Sequence, residues 1–214
     1  MDSADAAEMI GEVSEAHAEA KTQDAATRFR NRAALLIAIL AAILAVGGLG
    51  GGNATDEMIH NNIKASDTWA FFQAKNMRQT AYEIAIVELE GDLAEPGLAP
   101  EQRVRIQNQL AEHRATIARY ESEPDPAAPG DPLRGEGKKQ LMAQAQAFED
   151  AREVASAKDD NFDYAEVALQ LALVLGSVAI LATNRALLVA ASVLGAVGAV
   201  LTLNGFLLLF ALPF

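Results

Sequence analysis

The 214 residues carry a formal charge of −12, from 29 acidic against 17 basic side chains, an imbalance that argues against sequence-independent nucleic-acid binding, which needs clustered Lys and Arg. No cysteine is present, so disulfides, thiolate metal sites and cysteine nucleophiles are excluded. Apolar residues reach 51% but aromatics only 6%, and the excess of Ala, Leu, Val and Ile suits helices better than sheets.

Residues 1–32 form an acidic N-terminal segment. "DSADAAEMIGEVSEAHAEA" has no Lys or Arg before Lys21, and Met9, Val13 and Ala16 give it a weak apolar face. It reads as a solvated tail, with a short helix docking a protein partner as the alternative. "AALLIAILAAILAVGGLG", Ala33 to Gly50, is free of charge and covers roughly the 30 Å hydrocarbon core, which predicts a transmembrane helix over 33–52. The carboxylates that precede it, where a short basic region would be expected, speak against a cleaved signal peptide. "GGLGGG" reads as the end of this span or a hinge.

Residues 53–164 form an extramembrane helical domain. The proline clusters "EPGLAP" (95–100) and "EPDPAAPGDP" (123–132) cut it into helical stretches at about 54–93, 101–122 and 136–164. Ile59, Ile63, Ser66, Ala70, Met77, Ala81 and Ile84 describe one seam on the first stretch, and Val104, Leu110, Ile117 and Tyr120 a thinner one on the second. Both fit a small antiparallel hairpin or coiled coil. Neither seam is rich enough for a stable monomer, so the domain is expected to take buried area from partners or copies of itself. Trp69, Phe72 and Asn76 share one face of the first stretch, where packing in a core or oligomer is favoured over anchoring at the membrane surface or ligand binding.

A second apolar run, Val167 to Thr183 within 165–183, and a third, 186–214, are separated only by "TNR", which forces an antiparallel hairpin of two spans. Each span has small residues at four-residue spacing: Ala34, Ala38 and Ala42; Ala168, Ala172 and Gly176; Ala191, Gly195 and Ala199. In lipid such faces permit close helix approach. Thr202 and Asn204 are polar groups able to bond across helices, and with Ser192 could line a pore in an oligomer. Lys21, Arg28, Arg30 and Arg32 precede the first span and Arg185 lies in the hairpin, against Lys64 alone within twenty residues after the first span, a contrast blunted by Arg152 and Lys158 before the second. The positive-inside rule then places the N-terminus in the cytoplasm and 53–164 outside, periplasmic in a bacterial inner membrane. The expected class is an all-α membrane protein of three spans with a helical hairpin or coiled-coil domain between the first and second.

"NNIKASDTWAFFQAKNMRQTAYE" (61–83) resembles the signature of DUF4337, a bacterial family catalogued as a domain of unknown function. The matching residues are Ala65, Ser66, Asp67, Trp69, Ala70, Gln73, Ala74 and Lys75, with Phe72 where the family usually has Tyr. The resemblance implies an acidic N-terminus, an early span and a C-terminal span pair. It implies no activity.

No catalytic, cofactor or metal-binding residues are predicted. His17, His60 and His113 lie far apart, each read as a surface or capping residue; "GGLGGG" lacks the Lys-Ser/Thr of a P-loop; and "DDNFD" (159–163) lacks the register of a calcium loop. The lipid bilayer and further copies of the chain are the expected partners. The function expected is a non-enzymatic, homo-oligomeric structural or interaction assembly. A channel or an accessory subunit of a larger membrane complex is the alternative.

Overall fold

The structure, a computed structural model, describes the backbone of residues 3–212 and the side chains of His17 and of residues 20–212. Among the described residues it is helical without a strand: α1 (Ser3–Leu93), α2 (Pro100–Glu121), α3 (Lys138–Ala182) and α4 (Arg185–Leu207), with one isolated bridge between Pro124 and Gly135. Three of these, α1, α3 and α4, contain stretches long and apolar enough to cross a membrane.

The prolines end helices where expected. α1 stops before Pro96, and Gly97 turns the chain at φ 93°. Pro100 then opens α2 at its first turn, where a missing N–H is harmless. Between α3 and α4, Asn184 caps the new helix: its Oδ1 accepts from the N–H of Ala186 at 2.9 Å and of Leu187 at 3.4 Å.

α1 corrects two expectations. Residues 3–32, expected as a solvated tail or a short helix, are helical throughout, consistent with a composition of good helix formers, chiefly Ala and Glu. Their apolar face, Met9, Val13 and Ala16, lies outside the described side chains. Nor does "GGLGGG" break the chain, since α1 runs through it. Gly47, Gly50 and Gly51 serve packing instead.

The chain divides into two compact units, Met1–Thr55 with Ser156–Phe214, and Asp56–Ala155. In the first, burial on α1 recurs at steps of three and four through Ala33, Ile37, Leu40, Leu44, Gly47, Gly51 and Ala54. On α3 the same steps give Phe162, Ala165, Leu169, Ala172, Gly176 and Ala179, and on α4 Ala191, Gly195, Gly198, Thr202 and Gly205. Gly176 faces Ala191, Leu169 faces Gly198 and Phe162 faces Gly205, an antiparallel register with a step of seven. Leu40 faces Gly195 and Gly47 faces Thr202, a parallel register with the same step.

Large side chains thus sit on glycines. A Cβ on Gly50 would lie 2.5 Å from Phe162 Cζ, one on Gly205 2.8 Å from the same ring, one on Gly195 2.6 Å from Leu40 Cδ2 and one on Gly198 2.6 Å from Leu169 Cγ. Phe162 is itself buried and meets Phe206 edge to face at 4.9 Å.

In the second unit the inner stripe of α1 is Met58, Asn61, Ala65, Thr68, Phe72, Lys75, Gln79, Tyr82, Ile86, Leu89 and Leu93, all buried or half-buried, again at steps of three and four. α2 answers with Ile106, Leu110, His113, Ile117 and Tyr120. Val104, expected in this stripe, is exposed, because it lies off the three–four register of the others.

The glycines give a two-sided test by thermal unfolding in micelles. Nothing lies within 4 Å of a Cβ placed on Gly48, so Gly48→Ala should stabilise by up to about 1 kcal/mol through helix propensity. Gly50→Ala must displace the Phe162 ring and should destabilise by about 1–3 kcal/mol.

Candidate functional site

The segment 65–75 that carries the sequence signature is an anchoring knot within the second unit. Trp69 is half-buried, meets Phe72 edge to face at 5.5 Å, and donates from Nε1 to Glu149 Oε1 of α3 at 2.8 Å. One turn earlier, the Lys64 ammonium lies 5.3 Å from the centre of the Phe148 ring. Asn76 is exposed and accepts from Lys138 Nζ at 3.2 Å. These contacts join α1 to α3 in antiparallel order.

Lys75 is the most heavily engaged of these residues, and sequence reasoning singled it out only as part of the signature. Its side chain is 6% exposed. The ammonium donates to the backbone carbonyl of Glu136, lies 3.4 Å from the Glu123 carboxylate and 3.9 Å from that of Glu136, and stands 5.2 Å and 5.7 Å from the Phe71 and Tyr120 ring centres. Glu123 and Glu136 come from the two ends of the α2–α3 loop, which is pinned by Glu136 N–H to Glu123 O at 2.9 Å and by the Arg134–Asp125 ion pair at 2.7 Å. The loop takes a cation clasp rather than a cap from α1. A buried cation needs such partners, because an unpaired one would be expelled or neutralised. No local pattern announces the pairing, since its members are about fifty and sixty residues apart.

The expected seam of Ile59, Ile63, Met77 and Ile84 is not the stripe by which the chain packs on itself. These side chains are 49%, 52%, 72% and 57% exposed. The inner stripe lies one or two positions over and includes buried Asn61 and Lys75, which an apolar-face criterion passes by. Among the signature residues, Ala65 and Lys75 are buried and Trp69 and Ala74 half-buried, whereas Ser66, Asp67, Ala70 and Gln73 face out beside the apolar seam.

In the first unit, Ala172, Gly176, Ala191 and Gly195 are buried and Ala168 and Ala199 half-buried, while Ala34, Ala38 and Ala42 are exposed. On α1 the close approaches are made by Gly47, Gly50 and Gly51 instead. Ala42 and Ala199 border an outward apolar groove with Ile39, Val46 and Leu203. Thr202 and Asn204 are buried rather than pore-facing. Asn204 Nδ2 donates to Asn161 Oδ1 at 2.7 Å and to Phe210 O at 2.9 Å, and its Oδ1 accepts from Phe210 N–H at 3.1 Å. Asn161 Nδ2 donates to Ala157 O at 2.8 Å. The pair thereby ties the chain after α4 back onto α3 with each amide nitrogen and oxygen partnered.

His17 and His60 are exposed. His113 is neither a surface nor a capping residue: it is half-buried in the α2 stripe, 5.0 Å from the Tyr82 ring. Among the described residues no three His, Asp or Glu side chains converge as a metal site would require.

Thr55 Oγ1 donates to Asp159 Oδ1 at 2.7 Å. Near it, partial burial raises the Asp163 carboxyl above its usual value, and the charges of Asp159, Glu166 and Asp160 push the same way. A folded carboxyl that holds its proton more tightly than the unfolded one favours the fold at low pH, and that contribution is lost as pH rises from about 4 through the raised value. Asp163→Asn should therefore raise Tm at pH 7 while leaving it near wild type at pH 4. For the clasp, Lys75→Met keeps the packing but leaves Glu123 without its buried partner. It should destabilise by about 2 kcal/mol in thermal or denaturant unfolding, with Lys139→Met, exposed on α3, as the near-neutral control.

The model of the family described as "Domain of unknown function (DUF4337)" matches residues 29–208, most of the chain, and the chain belongs to that family. No curated protein and no solved structure matches it.

Proposed function

We propose that this member of the DUF4337 family is a non-enzymatic, multi-pass membrane protein that assembles with copies of itself through the outer face of α1. The observation that carries the reading is the second stripe on that helix. Ile59, Ile63, Ser66, Ala70, Gln73, Met77, Thr80, Ile84 and Val87 keep an alternating three- and four-residue spacing, and each is exposed. A helix with one heptad stripe used inside the chain and a second left open has the pattern of a coiled-coil protomer. Ser66 and Ala70 allow close approach at the centre, and the large apolar residues flank them.

Copies in one bilayer share an orientation, so the self-interface would be parallel and its symmetry cyclic. Lys21, Arg28, Arg30, Arg32 and Arg185 support a cytoplasmic N-terminus in a bacterial inner membrane, with 53–164 in the periplasm. The exposed Ala34, Ala38 and Ala42 offer a small-residue face to a neighbouring span. A conduit draws no support from Thr202 and Asn204, whose hydrogen bonds are already made within the chain. The acidic helix at 3–32 is the surface left for a different protein partner.

Native mass spectrometry of the full chain in nanodiscs tests the assembly, and a closed set of identical copies is expected. With no native cysteine, Met77→Cys should form an intermolecular disulfide under mild oxidation, whereas Glu112→Cys on the exposed side of α2 should not. A monomeric mass in nanodiscs, with no Met77→Cys dimer, overturns the reading.

A further inference from the structure

We infer that the mouth of the first unit, where α1 and α4 meet, is a binding site for the phosphate of an anionic phospholipid headgroup. The inference rests on the membrane reading above. A cleft of about 500 Å³ is lined there by Arg28, Phe29 and Arg32 of α1 and by Arg185, Leu188 and Val189 of α4. Three arginines thus line one cleft in a chain whose net charge is −12.

Among the described residues no carboxylate pairs with Arg28, Arg32 or Arg185, whereas Lys75, Arg114, Arg119, Arg134 and Lys138 do take part in ion pairs. α4 begins at Arg185 and has no acidic residue in its first turn, so the positive end of its dipole adds to the same field. The first N–H groups of α4 do not serve an anion directly, because Asn184 Oδ1 already accepts from Ala186 and Leu187. Binding falls to the guanidinium forks, which match phosphate oxygens two at a time.

The walls select a lipid over a free anion. Phe29 and Leu188 are half-buried, Val189 is exposed, and Ala33, the first residue of the charge-free run, is fully buried one turn beyond Phe29. The cleft therefore mixes cationic and apolar walls, with Leu188 and Val189 of α4 spanward of Arg185, which matches a phosphodiester with acyl chains attached. Its position at the cationic end of the spans is where basic pockets between helices meet headgroups. A zwitterionic headgroup would bring its ammonium against three cations, so selectivity for net negative lipid follows.

The test uses the delipidated full chain in mild detergent with phosphatidylglycerol, phosphatidylcholine or inorganic phosphate as probe, read by native mass spectrometry and by thermal shift. Phosphatidylglycerol should be retained on the order of tenfold better than phosphatidylcholine, and the preference should disappear in the Arg32→Gln/Arg185→Gln variant. Arg30→Gln, on α1 but outside the cleft, should keep it. All substituted side chains are exposed, so circular dichroism should be unchanged and a folding defect is separable. Equal retention of the two lipids, or undiminished preference in the double variant, overturns the inference. A thermal shift with inorganic phosphate equal to that with phosphatidylglycerol overturns the lipid assignment. Resistance of the chain to carbonate extraction from membranes is scored separately: a chain that stays in the membrane yet shows no lipid preference fails this inference alone, and one that washes out fails the membrane reading.

Discussion

Close approach of backbone to side chain is the constraint on which the first unit depends. Leu40, Phe162 and Leu169 have somewhere to go because Gly195, Gly50 with Gly205, and Gly198 present no Cβ. In water an apolar helix bundle is driven together by the area it hides. In lipid that term is nearly absent, and contact density has to replace it. Glycine notches opposite large knobs supply such contacts without opening cavities. The step of seven brings matched positions together at every second turn in both the antiparallel and the parallel pairings, so one spacing rule serves three helices.

The second unit solves a different problem with the same spacing. Its inner stripe carries Asn61, Thr68, Lys75 and Gln79 among apolar residues, and polar groups in such a stripe trade stability for a defined register. Lys75 shows how: its partners Glu123 and Glu136 bracket the α2–α3 loop, so only one alignment of α1 against that loop satisfies the ammonium. Trp69 fixes α3 in the same way through Glu149. The outer stripe at 59–87 is about as apolar as the inner one and is exposed, and exposed apolar stretches of that kind mark interaction surfaces.

Much of this was legible from the chain. Charge-free runs gave the three apolar helices, and the proline clusters gave the ends of α1 and α2, because a missing N–H and a fixed φ are local properties. What failed was the assignment of faces. "GGLGGG" looked like a break because glycine disfavours helix by local propensity, yet each buried glycine there is matched to a side chain more than a hundred residues away. Ile59, Ile63, Met77 and Ile84 looked like the inner seam because apolarity is the visible signal. The true stripe, offset by one or two positions, is satisfied by residues such as Glu123 that no window could connect to it. His113 was missed for the same reason, since its place is set by Tyr82 on another helix.

The two outward surfaces differ in what they can recognise. The α1 stripe at 59–87 is apolar with a small centre, which discriminates by shape and suits an identical helix whose bulges and hollows repeat at the same heights. The cleft of Arg28, Arg32 and Arg185 is charged and open, which discriminates by sign and suits a headgroup present in excess along a membrane. A chain with 12 more acids than bases gains little for solubility from keeping together three arginines that pair with no carboxylate among the described residues. Like charges gathered around one cleft repel each other by amounts that an ordered anion removes. Their placement at the end of the apolar helices, rather than scattered over the acidic surface where carboxylates could neutralise them, makes the bilayer the natural source of that anion.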